Sequence, residues 1–423
     1  MRTMLRPLAA LLLAPALSAS TYVVDDDGGP GVDFTDIAAA LPTLIQGDVL
    51  VVRAGTYGGF TLSVPVSILG DPGATVVAGI VVSGTSADSR TCLAGLETRW
   101  ILVEQCLGAV LLEELTVRPL LPESIQVLGQ ITVDASADVR LRGVTVEPQV
   151  SIHARDGLRA TDSRVEVVHS IVRGARGNNH NIYTQPAPPG NGGDGIHLVG
   201  TASVVVSASE VRGGGGGSKP SIALCSGCPA GSGGAGIRMG AGTSAIVTGP
   251  AYSSVVGGQF GFGEDPQDDG PPGDGIVVGA GASLRVSGAV IEPGLPEPPW
   301  TPLGVPINGP YVEAAPPDPT LTIAGPIAQQ PVLFTVEGEP GSQATLRLGR
   351  QLVVQPLPGV FGDQLVVPLR NWDLGVLPAS GIATFSFAIP AASPPGAVFV
   401  AQARTVAPGG AISLTNSMPL TKR

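Results

Sequence analysis

Charged and aromatic side chains are scarce in this chain. Only 13% of its 423 residues are charged and 4% are aromatic. Surface helices need a charged, solvated face, so this composition argues against a mainly helical fold. The net charge of −11 argues against binding to nucleic-acid phosphates and gives no reason to expect an anionic membrane as partner. A polyanionic ligand would need a local basic cleft, which no run of the sequence predicts.

Glycine and proline are abundant, with 60 and 40 residues. That share approaches the composition of disordered chains. However, 43% of the residues are hydrophobic, many of them valine and isoleucine, and a disordered chain lacks such apolar mass. The combination predicts an all-β fold of many short buried strands joined by turns.

The first twenty residues, MRTMLRPLAALLLAPALSAS, have the pattern of a secretory signal peptide. Arg2 and Arg6 precede an apolar stretch, 8–17, that is too short to span a bilayer, and small residues follow it. We therefore expect residues 1–20 to be cleaved and the protein to be secreted or held at the cell surface. The sequence offers no second apolar run of membrane-spanning length.

The four cysteines, Cys92, Cys106, Cys225 and Cys228, are predicted to form disulfides, because an exported chain meets an oxidising compartment. The simplest pairing is local, Cys92 with Cys106 and Cys225 with Cys228. The Cys-Ser-Gly-Cys spacing also fits a redox or zinc motif. Zinc would require a second closely spaced pair, so a structural disulfide is the preferred interpretation.

Residues 33–47, DFTDIAAALPTLIQG, predict a short helix with Asp33 or Thr35 as N-cap, which Pro42 shortens. Two segments that predict β-strands follow, DVLVVRAGTY and FTLSVPVSILG. Residues 34–70 resemble the first segment of right-handed parallel β-helix proteins of the pectin-lyase-like class. The resemblance implies a capping helix followed by a parallel β-helix solenoid, here over residues 21–295.

Four similar stretches support a repeat architecture. They begin at Asp156, Asp194, Ala235 and Asp274, with spacings of 38, 41 and 39 residues. Strand periodicity repeated at such spacing indicates a solenoid, in which stacked copies bury each other's apolar residues. Each repeat is longer than a β-helix turn requires. The surplus lies in Gly/Pro-rich insertions at 174–193, 213–234 and 257–273, predicted as long loops on one flank.

The amino-acid composition changes after the last repeat. Residues 296–318 are rich in proline and are predicted to form a stiff linker. Residues 319–423 contain short alternating runs separated by turn signals, which predict a small antiparallel β-sandwich. The last part of this region resembles a C-terminal module of secreted bacterial surface proteins.

Stacking in register would place Asp156, Asp194 and Asp274 in one column, with Ala235 interrupting it. Such a row, or the acidic segment that holds Asp265 and Asp269, could bind Ca²⁺, which prefers six to eight oxygen ligands. No other cofactor is predicted. The favoured alternative for the row is structural, because an Asp before Gly commonly caps a turn.

The insertions carry the aromatic, amide and carboxylate groups from which sugar-binding surfaces are built. The candidate binding residues are His180, Tyr183, Asp194, Phe260, Phe262 and Asp268. The same insertions also contain Asn178, Asn181, Lys219 and Glu264. The expected partner is an extracellular polysaccharide or a cell-surface component.

A catalytic signal is missing from the sequence. Polysaccharide lyases need a basic residue, and the insertions offer only Arg176 and Lys219. Glycosidases need two carboxylates at a set separation. The acidic candidates, from Glu264 to Asp269, fall on one loop. The four histidines, His153, His169, His180 and His197, are scattered.

We therefore predict an exported, non-catalytic β-helix protein that acts as a structural or carbohydrate-binding module, with no catalytic residues assigned. The alternative is a polysaccharide lyase or glycosidase that acts on the flank bearing the insertions.

Overall fold

The computed structural model describes residues 19–119, 130–148, 155–179, 189–219, 229–249, 253–263, 268–295, 304–314, 318–324, 331–358, 360–390 and 392–422. This part of the chain is almost entirely β. Residues 1–18, which hold most of the predicted signal peptide, lie outside it. No helix of the described residues is long and apolar enough to cross a membrane.

Two large parallel sheets form the first three quarters of the fold. Sheet 1 has eleven strands, which are, in order across the sheet, Thr21–Val24, Val49–Val52, Ser67–Gly70, Arg90–Ala94, Ala109–Glu113, Asp138–Arg142, Arg164–Val168, Ser203–Ser207, Ser244–Thr248, Ser283–Ser287 and Val312–Glu313. Chain order and sheet order agree along the whole sheet. Successive repeats therefore stack as neighbours.

Sheet 2 has sixteen strands and divides into two arms at Glu97–Glu104. Arm A contains Thr116–Val117, Thr145–Val146, Ile171–Arg173, Glu210–Arg212, Ser254–Val256 and Val290–Glu292. Arm B contains Ile131–Asp134, Leu158–Thr161, Ile196–Val199, Ile237–Met239, Ile276–Val278 and Ile307–Asn308. On the N-terminal side of Glu97–Glu104 lie Gly55–Tyr57, Phe60–Leu62 and Ala74–Ser83.

From about residue 130 each repeat contributes one strand to arm B, one to sheet 1 and one to arm A, in that order. This arrangement is consistent with a parallel β-helix. Parallel pairing continues through Ile307–Asn308 and Val312–Glu313, within the segment predicted as a linker.

The repeats pair in register, so the same position faces inward in each. Val165 is paired with Val204, and that column continues through Ala245 to Leu284. The column of Val167 and Val206 runs beside it, and all of these residues are buried in one apolar cluster. The predicted inward alternation is confirmed. Each fully buried valine contributes roughly 1.5–3 kcal/mol relative to an exposed one.

The N-terminal helix is shorter than predicted. The α-helix is Ile37–Ala40, followed by a 3-10 turn, Leu41–Thr43, that contains Pro42. Asp36 occupies the N-cap position, and its side chain makes no capping hydrogen bond. Burial of Ile37 and Ala40 at the end of the core holds this segment in place.

The predicted disulfide between Cys92 and Cys106 is wrong, because both are free, buried thiols. Cys92 points outward from sheet 1, where its Sγ lies 3.4 Å from the Oγ1 of Thr421. Cys106 points into the core between the sheets. The wall of the sheet therefore separates the two sulfurs. Cys225 and Cys228 lie outside the described residues.

The C-terminal region forms two smaller sheets around a shared core. One contains Thr320–Ala324, Val332–Glu337 and Ile382–Phe387, all antiparallel. The other contains, in sheet order, Val360–Phe361, Ile412–Thr421, Val398–Val406, Gln343–Pro356 and Asp363–Val376. Only the pair formed by Val360–Phe361 is parallel.

The C-terminal sheets cover the outer face of sheet 1. Val366, Val398 and Val400 pack on Val49 and Leu69. Farther along sheet 1, the residues that contact the C-terminal sheets are polar, and they are buried as well.

A buried charged network joins the two regions. Arg140 is 1% exposed and donates hydrogen bonds of 2.8–3.1 Å to Asp138. The carboxylate of Glu166 accepts hydrogen bonds of 2.8 Å from the backbone N–H and hydroxyl of Ser417, whose Oγ lies 2.5 Å from Arg140 Nη1. A separate contact joins the two regions at His169, where the N–H of Ile323 donates to its Nε2 at 3.4 Å.

Candidate functional site

The insertions form an ordered layer of backbone. Each leaves arm A as an outgoing segment and returns as a second segment that leads into arm B. The described outgoing segments are 174–179, 213–219 and 257–263, and the return segments are 189–193, 229–235 and 268–274. The tips between them, which contain His180, Tyr183 and Asp265, lie outside the described residues.

Backbone hydrogen bonds link these segments in a period of three residues. Within the outgoing layer, the N–H groups of Gly213 and Gly216 donate to Val256 and Gln259 of the next repeat. The N–H groups of Gly214 and Gly217 donate instead to Gly193 and Gly190 of the return layer. Three residues per turn is the period of a polyproline II-type chain, which glycine adopts readily.

Glycine is required here by close approach of backbones. A Cβ on Gly214 would lie 1.9 Å from the carbonyl oxygen of Ala175, and one on Gly216 would lie 1.9 Å from that of Gly231. These contacts leave no room for a side chain. The glycines thus allow the segments to pack side by side in two layers.

The third position of each turn faces solvent, so the outgoing layer presents a grid of side chains. Its rows follow from strand pairing in arm A and from the hydrogen bonds above. The first row is Arg173, Arg212, Val256 and Glu292; the second is Arg176, Gly215, Gln259 and Leu295; the third is Asn179, Ser218 and Phe262. In the outgoing segments these positions are partly or fully exposed, whereas most residues between them are buried.

A cleft of about 500 Å³ lies on this grid. Its lining includes Arg176, Arg212, Gln259, Phe262 and Glu292, and backbone of the 213–216 segment. The cleft therefore combines charged, amide and aromatic groups on a rigid backbone.

Two of the predicted binding residues, Phe260 and Phe262, meet at this cleft. Their ring centroids are 4.6 Å apart, with the planes tilted by 58°. Phe260 is buried, whereas Phe262 is 50% exposed. Leu295, which is 67% exposed, lies in the same lining. An exposed aromatic ring supported by a buried one offers a fixed apolar face to a ligand.

Three arginines come together beside the cleft. Arg173 is paired with Glu147 and Glu210 at 2.9 and 3.2 Å. Arg212 lies farther from Glu210, at 3.8 Å, and is half exposed. Arg212 and Arg176 therefore offer guanidinium donors to a ligand. Stacking of repeats assembles this cationic group, which no basic run in the sequence indicated.

The predicted aspartate row forms the second group of candidate residues. One carboxylate oxygen of each aspartate accepts a backbone N–H from the next repeat. The acceptor and donor pairs are Asp156 with Asp194 (3.1 Å), Asp194 with Ala235 (2.7 Å) and Asp274 with Val305 (2.8 Å). The row therefore has a structural role, but its carboxylates cap the backbone of the next repeat rather than their own turns.

The second oxygen of each aspartate is bound by a side chain three positions farther along in the next repeat. Asp156 Oδ2 lies 3.0 Å from His197 Nδ1, and Asp194 Oδ2 accepts from Arg238 Nε at 2.6 Å. Asp274 Oδ2 accepts from the amide of Asn308 at 2.9 Å. The hydrogen bonds to Asp194 raise the pKa of Arg238.

Asp156, Asp194 and His197 offer ligand atoms within 4.8 Å of one another. Calcium does not fit this group well, because the carboxylate oxygens already accept N–H donors and the Arg238 guanidinium occupies Asp194. A second Ca²⁺ candidate, Asp269, accepts the N–H of Gly263 at 2.6 Å. Calcium binding at these residues stays a prediction.

Asp268, the remaining predicted binding residue, forms an ion pair of 3.1 Å with buried Lys219. The pair links the outgoing segment of one insertion to the return segment of the next. His153, His180, Tyr183, Asn181, Glu264 and Asp265 lie outside the described residues.

The sequence did not indicate Arg212, Gln259 or Glu292 as binding residues. It indicated Arg176 only as one of the two basic residues in the insertions. The overlooked signal is glycine at positions i and i+3, as in Gly174 and Gly177, or Gly258 and Gly261. That period marks the packed positions and leaves the third position free to face solvent.

No protein-family model matches this chain, and no curated protein matches it. Among solved structures, the chain is similar at 9% identity to one described as Geobacillus virus E2 ORF18, over 90% of this chain and 82% of that chain. The TM-score of 0.19 is too low to show a common fold.

Proposed function

We propose that this protein is an exported, non-catalytic carbohydrate-binding protein. In this proposal its parallel sheets form a right-handed β-helix of the pectin-lyase-like kind, its C-terminal sheets form a β-sandwich, and the cleft on the outgoing layer binds the sugar. The observation that carries the proposal is half-exposed Phe262, supported by buried Phe260, in a cleft that also holds Arg176, Arg212 and Gln259.

A sugar ring has an apolar face and a rim of hydroxyl groups. Phe262 suits the apolar face, since an aromatic ring provides flat contact area with little conformational freedom to lose. Arginine and amide groups around it donate hydrogen bonds to hydroxyl, ether or carboxylate oxygens. Binding sites of this kind combine apolar walls with a few converging polar groups.

The support beneath the cleft also favours binding to an extended polymer. The outgoing segments are fixed by backbone hydrogen bonds on two sides, so the backbone beneath the grid loses little entropy when a ligand binds. Stacked repeats present long continuous surfaces, which suit a chain of repeating units.

The group of Asp156, His197 and Asp194 favours a second candidate, a polysaccharide-cleaving enzyme. A carboxylate that holds one imidazole nitrogen orients the other for acid–base catalysis. Against this, Asp194 is buried and bound by Arg238. We therefore rank the enzyme second.

The test is a screen of the purified exported protein against a panel of plant and bacterial polysaccharides, with and without Ca²⁺. The bound fraction is measured together with the release of reducing ends or unsaturated products. Phe262→Ala should weaken binding, and Tyr311→Ala is the matched control, because Tyr311 is 48% exposed and does not line the cleft.

Binding without products, lost in Phe262→Ala and kept in Tyr311→Ala, would support the proposal. Products that disappear in Asp194→Asn would establish the enzyme instead. Absence of binding to every polysaccharide would reject both.

A further inference from the structure

One glycine of the outgoing layer is not explained by packing. Around it, a Cβ on Gly213, Gly214, Gly216 or Gly217 would lie within about 2 Å of a backbone oxygen. A Cβ on Gly215 would meet nothing closer than Gln259 O, at 3.7 Å, which is ordinary van der Waals contact. Gly215 also has no positive φ that would favour glycine. The fold would therefore accept alanine at this position.

Gly215 occupies the centre of the grid. Its carbonyl accepts the N–H of Gly177, and the next N–H in its segment, that of Gly216, donates to Gln259. The equivalent positions in the neighbouring repeats carry the side chains of Arg176 and Gln259. At position 215 the row is open down to the backbone, and the cleft lies there.

The opening is narrow: a Cβ on Gly215 would lie 3.8 Å from the Cβ of Gln259 and 3.9 Å from the Cγ of Arg176, so the gap suits the edge of a sugar ring and not its full face. Arg212 and Ser218 lie one turn before and one turn after Gly215, and each turn advances about 9 Å. Arg176 and Gln259 belong to the segments on either side, which are about 10 Å apart if spaced like strands. A side chain larger than that of alanine at position 215 would fill this space.

We propose that Gly215 is the floor of a subsite that takes one pyranose ring of a polysaccharide, with one edge of the ring toward the bare backbone. The inference rests on the proposed function and extends it. Phe262 contacts the apolar face or edge of the ring, and Arg176, Arg212 and Gln259 donate to its oxygens. Gly215 thereby determines specificity, because it admits a ring that a side chain larger than that of alanine would exclude.

The test uses Gly215→Ala, Gly215→Leu and the control Gly216→Ala. In thermal unfolding, Gly215→Ala should melt within about 2 °C of the wild type, because the atoms nearest its Cβ lie 3.7–3.9 Å away. Gly215→Leu should stay folded, because its longer side chain extends into the open cleft. Gly216→Ala should melt at least about 3 °C lower, because its Cβ would lie 1.9 Å from Gly231 O. Destabilisation by Gly215→Ala equal to that of Gly216→Ala would overturn the inference.

Binding is measured on the polysaccharide panel with the same variants. Gly215→Leu should weaken binding to the polysaccharides that the wild type retains by about tenfold or more. Gly215→Ala should weaken it less. Unchanged binding in a folded Gly215→Leu variant would refute the subsite while leaving the proposed function intact. A wild-type protein that binds no polysaccharide would reject the proposed function, and the subsite with it.

Discussion

Replacement of Arg140 by methionine should detach the C-terminal sheets from sheet 1 before the parallel sheets unfold. Arg140 lies at the centre of the buried network and contacts both Asp138 and Ser417. Methionine keeps much of the side-chain volume but removes the charge. Asp138 would then retain Arg164 at 3.3 Å, whereas Glu166 would retain only its bonds to Ser417.

The magnitude follows from the burial of the network. Arg140 and Glu166 are each 1% exposed, and removal of one partner from a buried ion pair typically costs about 3–5 kcal/mol. The double variant Arg140→Met/Glu166→Gln leaves neither charge and keeps an acceptor for the N–H of Ser417, so it should recover part of that loss. The control is Arg159→Met: its pair with Asp156 spans 3.8 Å, the guanidinium is 44% exposed, and the cost should be less than about 1 kcal/mol.

The assay is urea unfolding followed by limited proteolysis, with cleavage sites identified by mass spectrometry. The Arg140→Met variant should show a separate early transition and cleavage in the C-terminal region, since two regions that unfold separately do not behave as one cooperative unit. A single transition with a midpoint like that of Arg159→Met would refute the reasoning. So would a double variant less stable than Arg140→Met alone.

Three further predictions concern buried groups. Burial and the positive charge of Arg142 lower the pKa of His169 to about 4, so below pH 6.5 the unfolded chain binds a proton that the folded protein does not. As the pH falls from 6.5 to 4, the free energy of unfolding should fall by up to about 3 kcal/mol. In urea titrations, His169→Asn should show a smaller dependence of that free energy on pH. The same pH dependence in the variant and the wild type would contradict the assignment. Burial raises the pKa of Cys92 to about 12, so its thiol should resist iodoacetamide at pH 8 until urea unfolds the protein, and rapid alkylation of the folded protein would contradict this. Val206→Asp should reduce the yield of folded protein severely, because the carboxylate would be buried without a partner. The control is Leu107→Asp, at a position that is 63% exposed. Circular dichroism measures the folded fraction of both variants.

The predictions that succeeded from sequence rest on patterns with a local physical cause. The alternation of Val165 and Val167, repeated at Val204 and Val206, fixes which face of each strand is buried, since side chains alternate across a strand. Such signals are carried by neighbouring residues and need no knowledge of the rest of the fold.

The predictions that failed, or could not be made, depend on which side of a sheet a residue faces and what lies beyond it. Cys92 and Cys106 are only fourteen residues apart, but they point to opposite sides of the sheet wall. Similarly, Arg140 and Glu166 are on an outward face that sequence alone would leave in solvent. The C-terminal sheets bury them through Ser417, some 250 residues away.

The sequence by itself determined an all-β chain, the inward valines of its repeats and the place of its insertions, because strand alternation and turn chemistry act over a few residues. The tertiary structure decided what the insertions do. Only stacking aligns Arg176, Gly215 and Gln259 from three repeats into one row, and only close contact between backbones distinguishes the glycines that packing requires from Gly215, which it does not.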